Sequence, residues 1–301
     1  MPELPEVETI RSRLAPVLTG RTLVRVEIAD ARLTRPELPE AVSAELTGET
    51  VEDVRRRGKY LVFAFRSGRH LLVHLRMTGS FEWASGDVPD RHRRALLTLD
   101  DGSRVAYRDI RRFGTWLLLE PGELDAYLAA RIGGEPLEAA FTTGALARGL
   151  AGRRAPIKAA LLDQRAVAGV GNIYADEALW RARIHPLRPA GELSRAEVAA
   201  LRKAVRRALE LGIERAGTTL RDYRDPDGRG GRMQLELQVY GRGGEACARC
   251  GGAIARTRAG GRTTWYCPSC QPLAPEERPP RGDATPRASR ARPRGRAARA
   301  R

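Results

Sequence analysis

At 301 residues and 42% hydrophobic, the chain is long enough for two domains and a small module, and its composition is that of a globular protein. A formal net charge of +16 predicts attraction to a polyanion, nucleic acid first. No apolar run approaches the length of a membrane-spanning helix and no basic leader with an apolar centre opens the chain, which argues for an intracellular protein without a membrane partner.

The chain starts Met1-Pro2-Glu3-Leu4-Pro5-Glu6. Removal of Met1, which a small second residue permits, leaves a terminal proline. Its free secondary amine can attack an electrophilic carbon and form an iminium, with Glu3 and Glu6 beside it as acid or base. On these six residues alone a loose terminus is the competing reading. Residues 7–18 follow as an amphipathic helix, with Val7, Ile10, Leu14 and Leu18 on one face and Gly20 ending it.

From residue 22 to about 119 the pattern changes to short apolar segments between turns, among them 24–28, 59–65, 70–75, 95–99 and 116–119. Ser67-Gly68 and Asp100-Asp101-Gly102 punctuate them as hairpin turns. This predicts a β-sandwich or flattened barrel of antiparallel strands. After Pro121 the period becomes helical, over 123–130, 143–150, 155–162, 173–182 and 194–216, with Ser194 and Glu197 forming a capping box for the last. Gly169, Gly171 and Asn172 form a turn before one helix. The glycines permit a close backbone approach, Asn172 can cap, and the free amides suit a phosphate, with a purely structural turn as the competing reading. Lys158, Arg153 and Arg154 can add charge nearby. Residues 225–231 form a glycine-rich loop.

Cys247-x-x-Cys250 and Cys267-x-x-Cys270 have the spacing of a four-thiolate zinc site. Four sulfur ligands leave no open position for water, so one structural Zn²⁺ is expected. Arg262, on the hairpin between the pairs, is placed to meet a phosphate. Beyond Pro272 the chain is rich in Pro, Arg, Ala and Gly, and is expected to be disordered and to attract phosphate non-specifically.

These residues, in this order, resemble the bacterial formamidopyrimidine-DNA glycosylases over roughly residues 2–271. The resemblance rests on Pro2-Glu3-Leu4-Pro5-Glu6-Val7-Glu8, Arg57-Gly58-Lys59-Tyr60-Leu61, His74-Leu75-Arg76-Met77-Thr78-Gly79 and Arg111-Arg112-Phe113-Gly114. Gly169-Val170-Gly171-Asn172-Ile173-Tyr174-Ala175, Gln238-Val239-Tyr240-Gly241 and the cysteine module complete it. It implies a multidomain α+β protein: an N-terminal antiparallel β-sandwich (1–133), a helix–two-turns–helix DNA-binding domain (134–240), a zinc-finger hairpin (241–271) and a basic tail (272–301). It also implies a monomeric, cytoplasmic enzyme whose partner is damaged double-stranded DNA.

The resemblance assigns roles as well. Pro2 is implied as the nucleophile at C1′ of the damaged nucleotide and Glu3 as acid and base at the opening sugar. Lys59 is implied in β-elimination and Arg262 in δ-elimination, with Glu6 supporting the N-terminal group. His92, Arg111 and Arg153 correspond to DNA-contacting positions and Asn172 to a contact with the backbone at the lesion; Lys158 and Tyr240 are also expected DNA contacts. Met77, Arg111 and Phe113 correspond to the set that fills the void left by an extruded nucleotide, opposite cytosine. Without the resemblance, Met77 and Phe113 read as core residues.

Three departures stand out: Arg91-His92-Arg93-Arg94 in place of a histidine-richer run, Ile110 where many members have Pro, and Arg221 where many have Lys. Base preference is the property most exposed to them. The alternatives are an endonuclease VIII-like excision of oxidised pyrimidines and a catalytically silent damage-binding protein. Leu4 and the set Met77, Arg111 and Phe113 favour the purine enzyme. Pro2, Glu3 and Lys59 together argue against the silent binder.

Overall fold

A computed structural model of the chain describes residues 2–84 and 90–273. Met1, whose removal the sequence invites, and the basic tail from residue 274 lie outside the described residues.

The first helix, α1 Leu4–Leu18, begins three residues earlier than its apolar period suggests. Pro5 sits in the first turn, where a missing N–H is no loss. Glu6 accepts the Glu3 backbone N–H at 2.8 Å and closes that turn. The apolar stripe of α1 is divided between two cores. Leu4 packs into a helical core, while Val7, Ile10, Leu14 and Leu18 pack into a sandwich core. The chain start is therefore fixed at the seam between the two halves of the molecule.

The sandwich is built from β1 Leu23–Ile28, β2 Val51–Arg57, β3 Tyr60–Phe65, β4 His70–His74, β5 Gly79–Trp83, β6 Arg93–Leu99, β7 Arg104–Asp109 and β8 Thr115–Leu119. They form two four-stranded antiparallel sheets, ordered β1-β6-β7-β5 and β2-β3-β4-β8. Phe81, Tyr107 and Trp116 meet between the sheets, with ring centroids 5.2 and 5.4 Å apart along the series. Short helix α2 Pro39–Leu46 covers β1. Strands β2, β5 and β7 add to those read from the sequence. In β2, Val-Glu-Asp-Val-Arg-Arg-Arg, only Val51 and Val54 are buried, so the strand carries little apolar signal.

Register decides what shares an end of the sandwich. Tyr60 pairs with His74, and His74 with Thr115. The β2–β3 turn holding Lys59, the β4–β5 loop holding Met77 and the β7–β8 loop holding Arg111 and Phe113 are thus brought to one edge.

The helical half contains α3 Glu123–Ala129, α4 Thr143–Leu150, α5 Ile157–Leu162, α6 Asn172–Ala182 and α7 Arg195–Glu214. Each lies within two residues of its sequence expectation. Ser194 caps α7 as foreseen, its Oγ accepting from Glu197 N at 3.2 Å while Glu197 accepts from Ser194 N at 2.8 Å. A hairpin, β9 Ala255–Ala259 and β10 Arg262–Tyr266, carries the cysteine module.

Candidate active site

The double turn before α6 receives the chain start rather than an outside anion. Leu4 N donates to Gly169 O at 3.1 Å. A Cβ on Gly169 would meet the Leu4 side chain at 2.5 Å, and one on Gly171 would meet the Glu3 carboxyl carbon at 2.3 Å, so both positions require glycine. The Glu3 carboxylate accepts from Ile173 N at 3.0 Å and Tyr174 N at 3.4 Å. A carboxylate there also meets the positive end of the α6 dipole. The anion at this helix start is Glu3 itself.

Glu6 supports the terminus from behind. Its Oε2 takes Glu3 N, and its Oε1 accepts from Tyr174 Oη at 2.9 Å and Thr218 N at 2.6 Å. Burial raises the Glu6 pKa, and Glu3 raises it further, against the pull of these hydrogen bonds. Pro2 lines a cavity of about 440 Å³ with Glu6, Met77, Ser80, Arg111 and Tyr240 around it. The cavity is large enough for a nucleobase, and the β4–β5 and β7–β8 loops contribute Met77 and Arg111 to its lining.

Lys59 is buried in the β2–β3 turn, with 5% of its surface exposed. Burial lowers its pKa, the Glu3 and Glu6 charges raise it, and the Arg262 charge lowers it. Lys59 therefore sits within electrostatic reach of both carboxylates and of the hairpin arginine. Its turn is braced across the seam. Buried Glu135 accepts from Gly58 N and, at 2.8 Å, from Arg56 Nη1, while Arg56 Nε donates to Glu8 at 2.9 Å.

Arg262 is exposed at the first position of β10, after the Gly260-Gly261 turn. Its neighbour Thr263 offers a carbonyl to Lys158 Nζ at 3.0 Å and Asn172 Nδ2 at 3.3 Å, and Trp265 N donates to Asp176 at 3.1 Å. Lys158 and Asp176 pair at 2.7 Å, both fully buried. Burial pushes Asp176 up and Lys158 down in pKa, and their mutual attraction opposes both shifts. The Tyr240 ring packs at a tilt against Trp265, centroids 4.5 Å apart, and its backbone N–H, with those of Gln238 and Val239, points at the buried Glu177 carboxylate. The ligand-bearing atoms of Cys247, Cys250, Cys267 and Cys270 lie within 4.8 Å of one another. Sulfurs at about 2.3 Å from one tetrahedral zinc would stand about 3.8 Å apart, so the donor set fits that ion. Trp180 Nε1 donates to Cys247 Sγ at 3.4 Å, the kind of outer contact that orients a thiolate.

Three family models match in chain order: the formamidopyrimidine-DNA glycosylase N-terminal domain over residues 1–116, the formamidopyrimidine-DNA glycosylase H2TH domain over 132–224, and the zinc finger found in FPG and IleRS over 244–273. The chain belongs to the formamidopyrimidine-DNA glycosylase family. A formamidopyrimidine-DNA glycosylase of Symbiobacterium thermophilum is 49% identical over 276 residues, covering 91% of this chain and 90% of the relative. The MutM (FPG) protein of Thermus thermophilus superposes with a TM-score of 0.81 at 44% identity, over 91% of this chain and 100% of that one. A Lactococcus lactis FPG mutant in complex with Fapy-dG DNA gives 0.84 at 37% identity, over 90% and 100%.

Within this glycosylase fold the structure gathers Pro2, Glu3, Glu6, Lys59, Asn172, Tyr240 and Arg262 around the seam. Phe113 is half exposed (51%), which removes the core reading of that residue, and Arg111 lies over its ring at 4.8 Å. Met77 is partly exposed and lines both the Pro2 cavity and a neighbouring recess with Phe113 and Arg262. His92 and Arg153 are partly exposed, Arg153 paired with Asp163 at 2.6 Å.

Two expectations need correction. Lys158 is wholly buried and committed to Asp176 and Thr263, so it braces the hairpin and does not reach a phosphate. Asn172 is the first residue of α6 and does not cap it. Glu3 supplies that contact, and the Asn172 amide reaches Tyr240 Oη and Thr263 O instead. Sequence reading passed over Asp109, Glu135, Asp176 and Glu177, four buried carboxylates that tie loops together. The one available signal was the adjacent pair Asp176-Glu177 in an otherwise apolar helix start.

Among the described residues, no helix is long and apolar enough to cross a membrane.

Proposed function

We propose that Pro2, freed of Met1, is the nucleophile of a bifunctional glycosylase and AP lyase that removes oxidised purines from duplex DNA. The observation that carries this reading is the placement of Pro2 on the wall of the cavity, beside Glu3 and Glu6, the two carboxylates whose charges also reach Lys59. A free α-amine titrates near 7.7–8, so an appreciable fraction is neutral at physiological pH. Titratable groups gathered in a cleft are the usual setting for such chemistry.

The steps follow from bond balance. The Pro2 nitrogen lone pair forms a bond to C1′ as the C1′–base bond breaks, and the N–H proton left on the Pro2 nitrogen passes to the departing base. Glu3 delivers a proton to O4′ as the sugar ring opens, leaving an iminium. The iminium acidifies C2′–H. Lys59, whose pKa burial lowers, takes that proton as the C3′–O bond breaks and the 3′ phosphate leaves. Loss of a further proton expels the 5′ phosphate, with Arg262 neutralising the departing charge. Water then releases Pro2 from the sugar fragment.

The extruded base enters the cavity, and Met77, Arg111 and Phe113 occupy the vacated stack: two apolar wedges and one cation able to bond the orphaned base. His92, Arg153, Asn172 and Tyr240 hold the backbone near the lesion. One zinc ion, bound by the four cysteines, supplies rigidity to the hairpin and takes no part in the bond changes. The reading includes action as a monomer on DNA in the cytoplasm.

Borohydride trapping tests the substrate class. The purified protein is incubated with duplexes holding 8-oxoguanine or an oxidised pyrimidine opposite each base. The expected outcome is a covalent adduct formed fastest with 8-oxoguanine opposite cytosine. A faster adduct with the pyrimidine would move the protein to the endonuclease VIII-like class, and binding without any adduct would make it a silent binder. The pyrimidine arm is pertinent because Lactococcus lactis FPG has been solved with an oxidised-pyrimidine DNA. Binding is also expected to weaken steeply with salt, since phosphate contacts release counterions. A flat response between about 50 and 200 mM salt would contradict the phosphate contacts.

A further inference from the structure

Asp109 ends β7 and is 1% exposed, yet none of the chemistry above uses it. Its Oδ1 accepts from Thr78 Oγ1 and, at 3.2 Å, from Arg111 N. Its Oδ2 accepts from Gly114 N at 2.7 Å. Thr78 Oγ1 in turn accepts from Arg111 N at 3.0 Å. One buried carboxylate thus ties the residue after Met77 to both ends of the segment that displays Arg111 and Phe113.

The same two loops carry backbone strain. Arg76, before Met77, has φ 53°, and Arg112, before Phe113, has φ 58°. A left-handed arginine is conformationally unfavourable and persists where its surroundings over-determine it. The loops also close on the Tyr107 hydroxyl from two sides. A Cβ at Gly79 would meet that oxygen at 2.4 Å, and one at Gly114 at 1.8 Å. Neither loop can shift without disturbing the shared carboxylate or this hydroxyl.

We propose that Asp109 is a positioning residue that locks the two loops into one wedge, so that Met77 and the Arg111–Phe113 pair enter the duplex together. This rests on the reading of Met77, Arg111 and Phe113 as the void-filling set. Losing the lock lets each loop relax separately and penalises only the step in which the stack is invaded.

Asp109→Asn keeps the shape but turns one oxygen into an N–H₂ group facing a donor. The readout is the ratio of two single-turnover rates: excision of 8-oxoguanine from a duplex, and cleavage at an abasic site in a single-stranded oligonucleotide, which has no stack to invade. The duplex rate is expected to fall about 10- to 100-fold and the single-strand rate by less than about threefold. Equal losses on both substrates would overturn the proposal.

A double-mutant cycle separates positioning from general damage. In a Met77→Ala/Phe113→Ala background, Asp109→Asn is expected to reduce the duplex rate by less than about threefold more. Full multiplication of the losses would show that Asp109 does not act through the wedge. If Met77→Ala/Phe113→Ala alone excises at the parent rate, the void-filling reading fails first, and this proposal with it. Should Asp109→Asn not fold, Thr78→Val removes only the hydroxyl link, and it must shift the same ratio in the same direction. An unchanged ratio in Thr78→Val would sink the proposal.

Discussion

Glu3→Gln is expected to slow excision of 8-oxoguanine from duplex DNA by about a thousandfold, within the roughly 10²–10⁴ range of a lost general acid–base. The carboxylate has two tasks in this fold. It exchanges a proton with the sugar, and it accepts from Ile173 N and Tyr174 N at the start of α6. Glutamine cannot carry the proton, and its N–H₂ would oppose one of the two backbone donors. A loss of stability of about 1–2 kcal/mol should therefore accompany the loss of rate. Single-turnover excision and thermal unfolding of the same preparation measure both. Excision within tenfold of the parent protein would remove Glu3 from the chemistry and leave it a helix cap. The position should also resist enlargement, because the Gly171 backbone leaves no space behind the carboxyl group.

Removing the metal from Cys247, Cys250, Cys267 and Cys270 should suppress the second elimination by about a hundredfold or more, leaving a β-elimination product in place of the one-nucleotide gap. The hairpin's apolar cluster is small: Trp180, Val239, Ile254, Cys247 and Cys267, with Trp265 and Cys270 packed against it. Without the ion, Thr263 and Trp265 lose their register against Lys158, Asn172 and Asp176, and Arg262 loses its place beside the site. Circular dichroism of the sandwich and helices should change little, since their cores do not include the hairpin. Cys267→Ala should behave like the chelated protein, while Arg262→Ala should show the same product change with the hairpin still folded. Full β,δ-product from protein shown to be free of metal would contradict the role of the finger.

What was legible in the sequence, and what was not, follows from range. The α7 capping box, the helical periods and the two Cys-x-x-Cys knuckles are local, so the structure shows each close to where the sequence places it. The sandwich was legible as a class because turns and alternation recur, but β2, with three arginines, hid its pairing. The early start of α1 was missed because its first turn is Leu4-Pro5-Glu6, and only a second core, built from the distant helical half of the chain, explains why Leu4 is buried. The misreadings at Lys158 and Asn172 share one cause. A basic side chain near a glycine turn suggests a phosphate and an amide there suggests a helix cap, and only the fold reveals that Asp176 and Glu3 already fill those places. Acidic residues suffered most. Asp109, Glu135 and Glu177 look like solvated charges in sequence, yet each is buried and satisfied by backbone N–H groups that tertiary folding delivers.

Lys59 and the chain terminus are both amines within reach of the same carboxylates, and burial depresses Lys59 toward its neutral, nucleophilic form. The adduct itself distinguishes them. Borohydride-trapped protein–DNA complex, digested with protease and nuclease and sequenced by mass spectrometry, should carry the sugar remnant on a peptide that begins at Pro2. A remnant on Lys59, or on a peptide still bearing Met1, would contradict the terminal proline as the nucleophile.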